Sequence, residues 1–326
     1  MSKSTPRYAD FCGYILGITE EIWELRRIDS LRGYYADGIL VRSPSGIVVG
    51  NEAVIASTRE TLAELPDRQL LGEDVIWART GDDSWLSSHR LLSTATHLGH
   101  GRFGAATGKR LVYRTIADCH ARACPDCGWV IDDEWLVRDV GAMVRQLGCD
   151  PKSYAETCIE REGGPEACSR PYRPGGDEGP YRGRGGNSEI GSRYAETLAR
   201  IMRADAAAIS AEYDRACHLE LPGGVAAHGR PAADMFWLGL RSSFPSAEFE
   251  IEHATGLNEA GMPPRAAVRW SLAGGHDGYG MFGNPSGADV YVMGASHAEY
   301  GPRGIRREYV VVDETAIWKQ ILIHAG

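Results

Sequence analysis

The feature that most constrains this chain is an internal repeat. When the sequence is shifted by 179 positions, residues 22–122 align with residues 201–301 without a gap. Beyond residue 128 the shift becomes 174, so the first copy carries a five-residue insertion at 123–127. The matches include Tyr34 with Tyr213, Gly50 with Gly229, Pro66 with Pro245, Arg90 with Arg269, His97 with His276, and Glu134 with Glu308. A chain of 326 residues with this repeat is predicted to contain two copies of one domain.

Each copy has the same predicted order of elements. Apolar residues at three- and four-residue steps, from Ile15 to Leu31, predict an amphipathic first helix, and a second helix follows near 51–65. The strand-like segments of the first copy are 85–98, 109–122 and 129–139. The glycine-rich stretch 99–108 joins the first two of these as in a hairpin. Helices followed by a run of strands predict an α+β fold in which helices pack on one curved antiparallel sheet.

The repeat places the predicted domains at 8–148 and 191–324. The segment 149–190 between them is rich in glycine, proline and mixed charge. This composition is typical of a linker or a loop draped over the surface, with a lid over a pocket as the functional alternative.

Composition and charge exclude several classes of protein. A net charge of −9 argues against a nucleic-acid binder, which needs a basic surface. The chain shows no long apolar run and no signal-peptide core, so we expect a cytoplasmic protein without a membrane partner. The eight cysteines are then expected to be thiols or metal ligands before disulfides. The sequence has no Walker loop, dinucleotide fingerprint or nucleophile elbow, so no cofactor is expected.

Short motifs recur in both copies. The first copy has His97-Leu-Gly-His100-Gly-Arg-Phe103-Gly with Thr107-Gly108, and Glu134-Trp135-x-x-x-Asp139; the second has Phe282-Gly283, Ser286-Gly287 and Glu308-Tyr309-x-x-x-Asp313. With these motifs the sequence resembles the SnoaL-like polyketide cyclases of the nuclear-transport-factor-two superfamily. The resemblance implies that each domain is a cone-shaped α+β barrel with a small-molecule pocket inside it. It also implies a fused dimer, so we expect either a monomeric pseudo-dimer or a homodimer.

Candidate catalytic residues come from the predicted strands. His97 and Asp118 lie on neighbouring strands, where a carboxylate beside an imidazole makes a general base. Glu134 is either a pocket acid or a support for the last strand. The second copy has a denser set of ionisable residues, and is favoured if only one copy is active. Its candidates are His276, Asp277, His297 and Glu308. Structural histidines and a divalent metal site are the alternatives.

Aromatic and basic residues are the candidates for substrate binding. The aromatic candidates are Trp23, Tyr34, Trp135, Tyr213, Trp237, Trp270, Tyr279 and Tyr309, most of which could equally be core. Arg90 and Arg269 occupy matching positions and could clamp a carboxylate, although exposed strand residues or salt bridges would explain them too.

A cysteine cluster accompanies the five-residue insertion. Cys119, His120, Cys124 and Cys127 could hold zinc, since two thiolates two residues apart suit a tetrahedral site. A redox pair or ordinary thiols at a hairpin tip are the alternatives.

The sequence therefore favours a cofactor-independent lyase, hydrolase or isomerase. It would use His, Asp and Glu for acid–base catalysis on a small molecule in a closed pocket. The alternative is a non-catalytic ligand-binding or scaffold protein built from the doubled domain.

Overall fold

The computed structural model describes residues 8–125, 128–175, 178–186 and 188–325. The first half of the chain begins with a helix, as the sequence predicts, but strands that the sequence did not predict lie before and directly after the helix at 51–64. Its elements are α1 (Phe11–Thr19), a π-helix (Glu20–Glu24), a 3-10 helix (Ile28–Ser30), α2 (Leu31–Tyr34), β1 (Tyr35–Ser43), β2 (Gly46–Val49), α3 (Asn51–Glu64), β3 (Gln69–Gly81), β4 (Ser84–Thr96), β5 (Arg110–Cys124), β6 (Gly128–Arg138), α4 (Val140–Leu147) and α5 (Pro151–Arg161).

The second half repeats this order. Its elements are α6 (Glu189–Met202), α7 (Ala207–Glu212), β7 (Tyr213–Leu221), β8 (Val225–His228), α8 (Arg230–Ser243), β9 (Glu248–Leu257), β10 (Arg265–Gly275), β11 (Asp289–Gly301), β12 (Gly304–Val312) and α9 (Glu314–Ala325). The strands form two six-stranded sheets with the orders β2-β1-β6-β5-β4-β3 and β8-β7-β12-β11-β10-β9. The two orders are the same, which confirms the duplication and the α+β fold class.

The sheets are mixed, which corrects the purely antiparallel sheet expected from sequence. β1 pairs in parallel with β6, and β7 pairs in parallel with β12. The pairs β3–β4 and β4–β5 are antiparallel, as are β9–β10, β10–β11 and β11–β12. Strands joined by a short connection must run antiparallel, whereas β1 and β6 are far apart in the chain and are free of that constraint.

Each sheet has one side that packs against its helices, here called the helix-facing side. In the first sheet, Ala117 and Cys119 of β5 share a buried cluster with Tyr14 of α1. In the second, Trp270 of β10 shares a cluster with Tyr194 of α6. Because successive side chains of a strand alternate between its two sides, these contacts tell which residues of each strand face the helices.

The strand register corrects one of the sequence matches. Tyr35 pairs with Ile131 in the first sheet, and Tyr213 pairs with Ile305 in the second. The structural counterpart of Tyr213 is therefore Tyr35, and not Tyr34 as the 179 shift suggests. The turn between β1 and β2 is one residue shorter than the turn between β7 and β8, which restores the 179 shift at Gly50.

The chain divides into two compact units. Unit 1 comprises the described residues of 1–42, 47–136 and 174–183, and unit 2 those of 43–46, 137–173 and 184–326. The predicted boundaries follow the repeat, whereas these units follow packing, so α4 and α5 belong to unit 2.

The predicted linker 149–190 contains the helix α5. Asp150 caps this helix by accepting hydrogen bonds from the amides of Lys152 and Ser153, and Pro151 begins it. Its buried side chains include Tyr154 and Ile159. The composition of the whole segment did not indicate this helix, because the glycines of the segment lie after α5. Among the described residues, no helix is long and apolar enough to cross a membrane.

Candidate functional site

Unit 1 carries a set of polar side chains on the helix-facing side of its sheet. We call this set the polar floor, and it consists of Arg68, His89, Ser93, Tyr113 and Thr115. His89 and Ser93 belong to β4, Tyr113 and Thr115 belong to β5, and Arg68 directly precedes β3. Tyr113 lies opposite Ser93, and His89 and Ser93 are about 13 Å apart along their strand. Each of the five side chains is at most 3% exposed.

Several buried side-chain atoms of the polar floor make no hydrogen bond to the residues that the structure describes. The Nε atom of Arg68, Nε2 of His89, Oγ of Ser93, Oη of Tyr113 and Oγ1 of Thr115 are buried without a hydrogen-bond partner among the residues that the structure describes. Such an atom costs about 1 to 3 kcal/mol, and buried polar atoms are normally bonded to protein, water or ligand. Five of them on one side of one sheet indicate a place built to receive polar groups.

Arg68 is the only charged member of the polar floor. Its guanidinium carbon lies 5.2 Å from the ring centre of Trp23 and 6.0 Å from that of Tyr113. It makes no ion pair with any residue in the described ranges. Trp23 belongs to the π-helix Glu20–Glu24, a type of segment that is frequent at functional sites.

His89 is held neutral. Burial, and then the nearby Arg90, lowers the pKa of its imidazole to about 3. Gly72 lies on the adjacent strand, and a Cβ there would stand 3.0 Å from His89 Nε2 and 2.6 Å from Leu16 Cδ2. The absence of a side chain at Gly72 therefore leaves the imidazole its room.

The same positions of unit 2 are apolar. Under the 179 shift, Arg68 corresponds to Ala247, His89 to Val268, Ser93 to Leu272, Tyr113 to Val292, and Thr115 to Gly294. The first four counterparts belong to one buried cluster, and Trp270 fills the space where unit 1 has Leu91. A Cβ on Gly294 would lie 2.2 Å from the Trp270 indole. The interior of unit 2 is therefore filled by side chains at the positions where unit 1 is polar.

Glu308 stands within this filled interior. Tyr194 and Tyr213 donate to its Oε1 at 2.8 and 2.6 Å, and the Trp237 indole donates to its Oε2 at 3.2 Å. Burial raises the pKa of Glu308 to about 7, against the lowering effect of these three donors. Four predicted pocket residues thus lie here: Glu308, Tyr213, Trp237 and Trp270. All four are 0% exposed.

The two matching histidines secure loops. His97 Nδ1 lies 3.1 Å from Thr107 Oγ1, and its Nε2 lies 3.2 Å from Glu64 Oε1. His276 Nδ1 likewise lies 3.0 Å from Ser286 Oγ. Both imidazoles are buried and tie the following glycine-rich loop to the strand end.

The expected meeting of His97 with Asp118 does not occur. Asp118 pairs with Ser88, nine residues along β4 from His97, so the two lie about 30 Å apart. His297 pairs with Ala267, which is equally far along β10 from His276. The hairpin pairs the end of one strand with the beginning of the next, and sequence alone did not show how far the pairing extends.

Further candidates lie on the side away from the helices. His297 pairs with Tyr309, while Glu308 pairs with Ala298 on the helix-facing side. By the same alternation Asp118, Arg90 and Arg269 face away from the helices. Arg90 is a salt-bridge residue, with its Nε 3.2 Å from Glu73 Oε2.

The remaining candidates are scattered. The Arg42 guanidinium lies 4.8 Å from the ring centre of Trp135, and Tyr34 donates to Glu21 at 2.9 Å. Asp277 is exposed, and Tyr279 is 74% exposed, so neither lines an interior.

Glu134 is the predicted catalytic acid that stays on the helix-facing side of unit 1. Burial, and then the negative charge of Glu134, raises the pKa of the Cys119 thiol. Glu134 also accepts a hydrogen bond from Tyr35. This pair repeats the Tyr213–Glu308 pair of unit 2.

The cysteine cluster does not assemble as expected. Cys119 is a buried free thiol, and His120 Nδ1 lies 2.6 Å from Asp132 Oδ1 while its ring stacks on Tyr181 at 4.6 Å. Cys124 is disulfide-bonded, and Cys127 lies outside the described residues. Within the described part of the chain, no group of three or more His, Cys, Asp or Glu could hold a metal ion.

Unit 2 also has an open groove of about 1000 Å³, whose lining contains one of the predicted substrate-binding residues, Tyr309. Its lining includes His218, His228 and Tyr309. His218 Nδ1 lies 3.0 Å from His228 Nε2, and its Nε2 lies 2.9 Å from Glu220 Oε1.

Comparison with known proteins finds similar chains among solved structures. No family model and no curated protein matches the chain. IdmH from Streptomyces antibioticus, a proposed polyketide cyclase, matches at 20% identity over 43% of this chain and 100% of its own, with a TM-score of 0.34. A proposed SnoaL-like polyketide cyclase from Jannaschia sp. CCS1 matches at 20% over 42% and 96%, with a TM-score of 0.34. A SnoaL-like polyketide cyclase from Agrobacterium tumefaciens matches at 17% over 41% and 98%, with a TM-score of 0.31.

These matched proteins are of the kind that the sequence motifs resemble. Each match covers about 40% of the chain, the length of one repeat. The strand order of the two sheets establishes the fold of this chain, and a fold of this kind does not by itself determine the activity.

Sequence reasoning missed the polar floor. The signal was present in the repeat, as polar residues of the first copy that align with apolar residues of the second. Matches between the copies report the shared fold, whereas mismatches such as His89 with Val268 report what differs between them.

Proposed function

We propose that unit 1 is a cofactor-independent enzyme, a lyase, hydrolase or isomerase, that holds a small molecule on the polar floor. The observation that carries this proposal is a set of five buried polar atoms that have no hydrogen-bond partner in the described ranges, each at a position where unit 2 has an apolar residue. Unit 2 has the same topology with apolar residues at these five positions, so the fold itself does not require the polar ones.

The polar floor is suited to a carbonyl-bearing substrate. Three hydroxyls and a guanidinium can donate hydrogen bonds to an oxygen that gains negative charge during reaction. A neutral imidazole such as His89 can polarise a carbonyl in the same way. Water excluded from the interior would strengthen each of these interactions.

Proton transfer would involve Glu134. It lies on β6, two strands from His89 in the order β6-β5-β4, so a substrate reaching both groups spans about 10 Å across the sheet. Tyr35 supplies the hydrogen bond that orients this acid.

Unit 2 supports a second role, that of a non-catalytic partner domain. Trp237 and Trp270 occupy its interior, and Glu308 is engaged with three donors. The scaffold alternative raised by the sequence therefore suits this half of the chain.

A thermal-shift screen of small carbonyl compounds tests the proposal. His89→Asn and His276→Asn form a matched pair, because both imidazoles are buried and both have an Nε2 without a partner among the described residues. A ligand at a hundred times its Kd adds about 2.7 kcal/mol of stability. We expect such a ligand to stabilise the wild type and His276→Asn, and to lose its effect in His89→Asn. Loss only in His276→Asn would move the site to unit 2.

Turnover separates the enzyme from a binding protein. Each stabilising ligand is incubated with the wild type and with Glu134→Gln, and products are followed by NMR. We expect conversion by the wild type that falls at least a hundredfold in Glu134→Gln. Ligands that bind without conversion would favour a non-catalytic ligand-binding protein.

A further inference from the structure

We propose that the ligand of unit 1 carries a carboxylate, and that Arg68 binds it. This inference rests on the proposed function, since it names the class of molecule that the polar floor accepts. Its basis is a buried cation that contacts aromatic rings and has no anionic partner among the residues that the structure describes.

The environment of Arg68 is unusual for a buried charge. Its side chain is 2% exposed, and it forms no ion pair within the described ranges of the chain. Buried charges in proteins are normally paired, because removing an ion from water is costly. Other buried arginines follow this rule, such as Arg265, whose Nη2 lies 2.6 Å from Glu259 Oε2.

The contacts of Arg68 hold the guanidinium without neutralising it. The rings of Trp23 and Tyr113 attract a cation through their π-faces, at 5.2 and 6.0 Å from Cζ. Aromatic faces do not take up the N–H groups as an oxygen does, and Nε remains without an acceptor among the described residues. The guanidinium is thus positioned in advance for a planar, bidentate acceptor.

The neighbouring groups favour the same ligand. Tyr113, Ser93 and Thr115 each bring a hydroxyl that can donate, and Arg68 can only donate. A carboxylate accepts hydrogen bonds only, so it complements this set without leaving a donor of its own unpaired. A primary amide of the same shape would bring two N–H groups toward a cation.

The cation and the hydroxyls occur together. Unit 2 has Ala247 in place of Arg68, and it has Leu272, Val292 and Gly294 in place of the hydroxyl residues. A guanidinium kept for stability alone would have no cause to vary with the hydroxyls, whereas groups that serve one ligand would be kept or lost as a set.

Arg68→Met tests the inference, with Arg265→Met as the matched control. Both remove a buried guanidinium, and of the two only Arg265 has a carboxylate partner in the part of the chain that the structure describes. Melting temperatures are measured in a buffer without small carboxylates, and then in rising sodium formate against sodium chloride at equal ionic strength. Affinities for benzoate and benzamide are measured by calorimetry.

We expect Arg68→Met to melt at or above the wild-type temperature without formate, because an uncompensated charge is removed. Formate should raise the melting temperature of the wild type and of Arg265→Met, but not that of Arg68→Met. Benzoate should bind Arg68→Met at least tenfold more weakly than the wild type, while benzamide changes by less than threefold.

Three results would overturn the inference: a lower melting temperature for Arg68→Met with an unchanged formate response, equal loss of benzoate and benzamide, or no response of the wild type to formate or benzoate. The outcomes also separate the two proposals. If formate stabilises the protein only when Arg68 is present, but no ligand depends on His89, the carboxylate site stands and the proposed enzyme does not. If a ligand depends on His89 but not on Arg68, the proposed ligand site of unit 1 stands and the carboxylate site at Arg68 does not.

Discussion

Replacing Thr115 by valine removes one hydroxyl from the polar floor and keeps the shape of the side chain. The Thr115 side chain is 1% exposed, and its Oγ1 has no hydrogen-bond partner among the described residues. A buried hydroxyl without a partner costs about 1 to 3 kcal/mol. We therefore expect Thr115→Val to raise the free energy of unfolding by about 1 kcal/mol or more. For a domain of this size, that corresponds to about 2 to 4 °C in Tm.

Thr197→Val is the matched control. Thr197 is also 1% exposed, but its hydroxyl donates to the Arg193 carbonyl at 2.8 Å. Removing a satisfied hydroxyl loses a hydrogen bond, so this variant should lose about 1 kcal/mol. Urea unfolding and scanning calorimetry of the ligand-free protein each measure both changes in stability, which should have opposite signs.

A loss of stability in Thr115→Val equal to that in Thr197→Val would refute the reasoning. It would mean that the Thr115 hydroxyl is already satisfied in the ligand-free protein. The polar floor would then be an ordinary hydrated interior, and its buried polar atoms would not indicate a ligand site.

Three further predictions concern the packing and the charges of each unit. Gly294→Ala should lower the free energy of unfolding by about 1 to 3 kcal/mol, because its Cβ would lie 2.2 Å from the Trp270 indole. Adding Trp270→Leu should recover part of that loss, and simple additivity in a double-mutant cycle would contradict the contact. Folding raises the pKa of Glu308 from 4.5 to about 7, so protonated Glu308 contributes about 3 kcal/mol of stability that is complete below pH 4.5 and is lost as pH rises through 7. Urea unfolding should show a lower free energy of unfolding at pH 8 than at pH 5 in the wild type and a smaller difference in Glu308→Gln, and equal differences would refute this assignment. Glu64→Ser should cost about 2 to 4 kcal/mol, because Glu64 accepts the Phe103 amide at 2.7 Å and a neighbouring amide at 3.0 Å; a calorimetric loss below 1 kcal/mol would show that the loop does not depend on it.

The duplication and the fold class could be predicted from the sequence because they rest on spacing. Glycines, prolines and histidines recur at a constant shift, and the order of helices and strands repeats with them. The parallel pairing of β1 with β6 could not be read in this way, because it joins strands that are far apart in the chain.

The candidate site was harder to predict, for two physical reasons. One is register: Tyr35, and not Tyr34, is the counterpart of Tyr213, because a turn that is one residue shorter moves every pairing in β1. The other is the side of the strand on which a residue lies. His297 and Glu308 are on adjacent strands, but they face opposite sides of the sheet.

The residues that distinguish the units were visible in the sequence but were not weighed. Arg68 and His89 align with Ala247 and Val268, which is a change from polar to apolar at positions that share one side of the sheet. Their importance depends on burial and on missing partners, and neither property can be derived from residue type or spacing.

A high-resolution crystal structure of the protein grown with sodium benzoate tests most directly whether unit 1 alone has a receptive interior. We predict benzoate density on the polar floor, with its carboxylate within hydrogen-bond distance of the Arg68 guanidinium, and no ligand between Trp237 and Trp270. Benzoate among the residues around Glu308, or an empty polar floor whose hydroxyls are bonded to one another, would contradict the account.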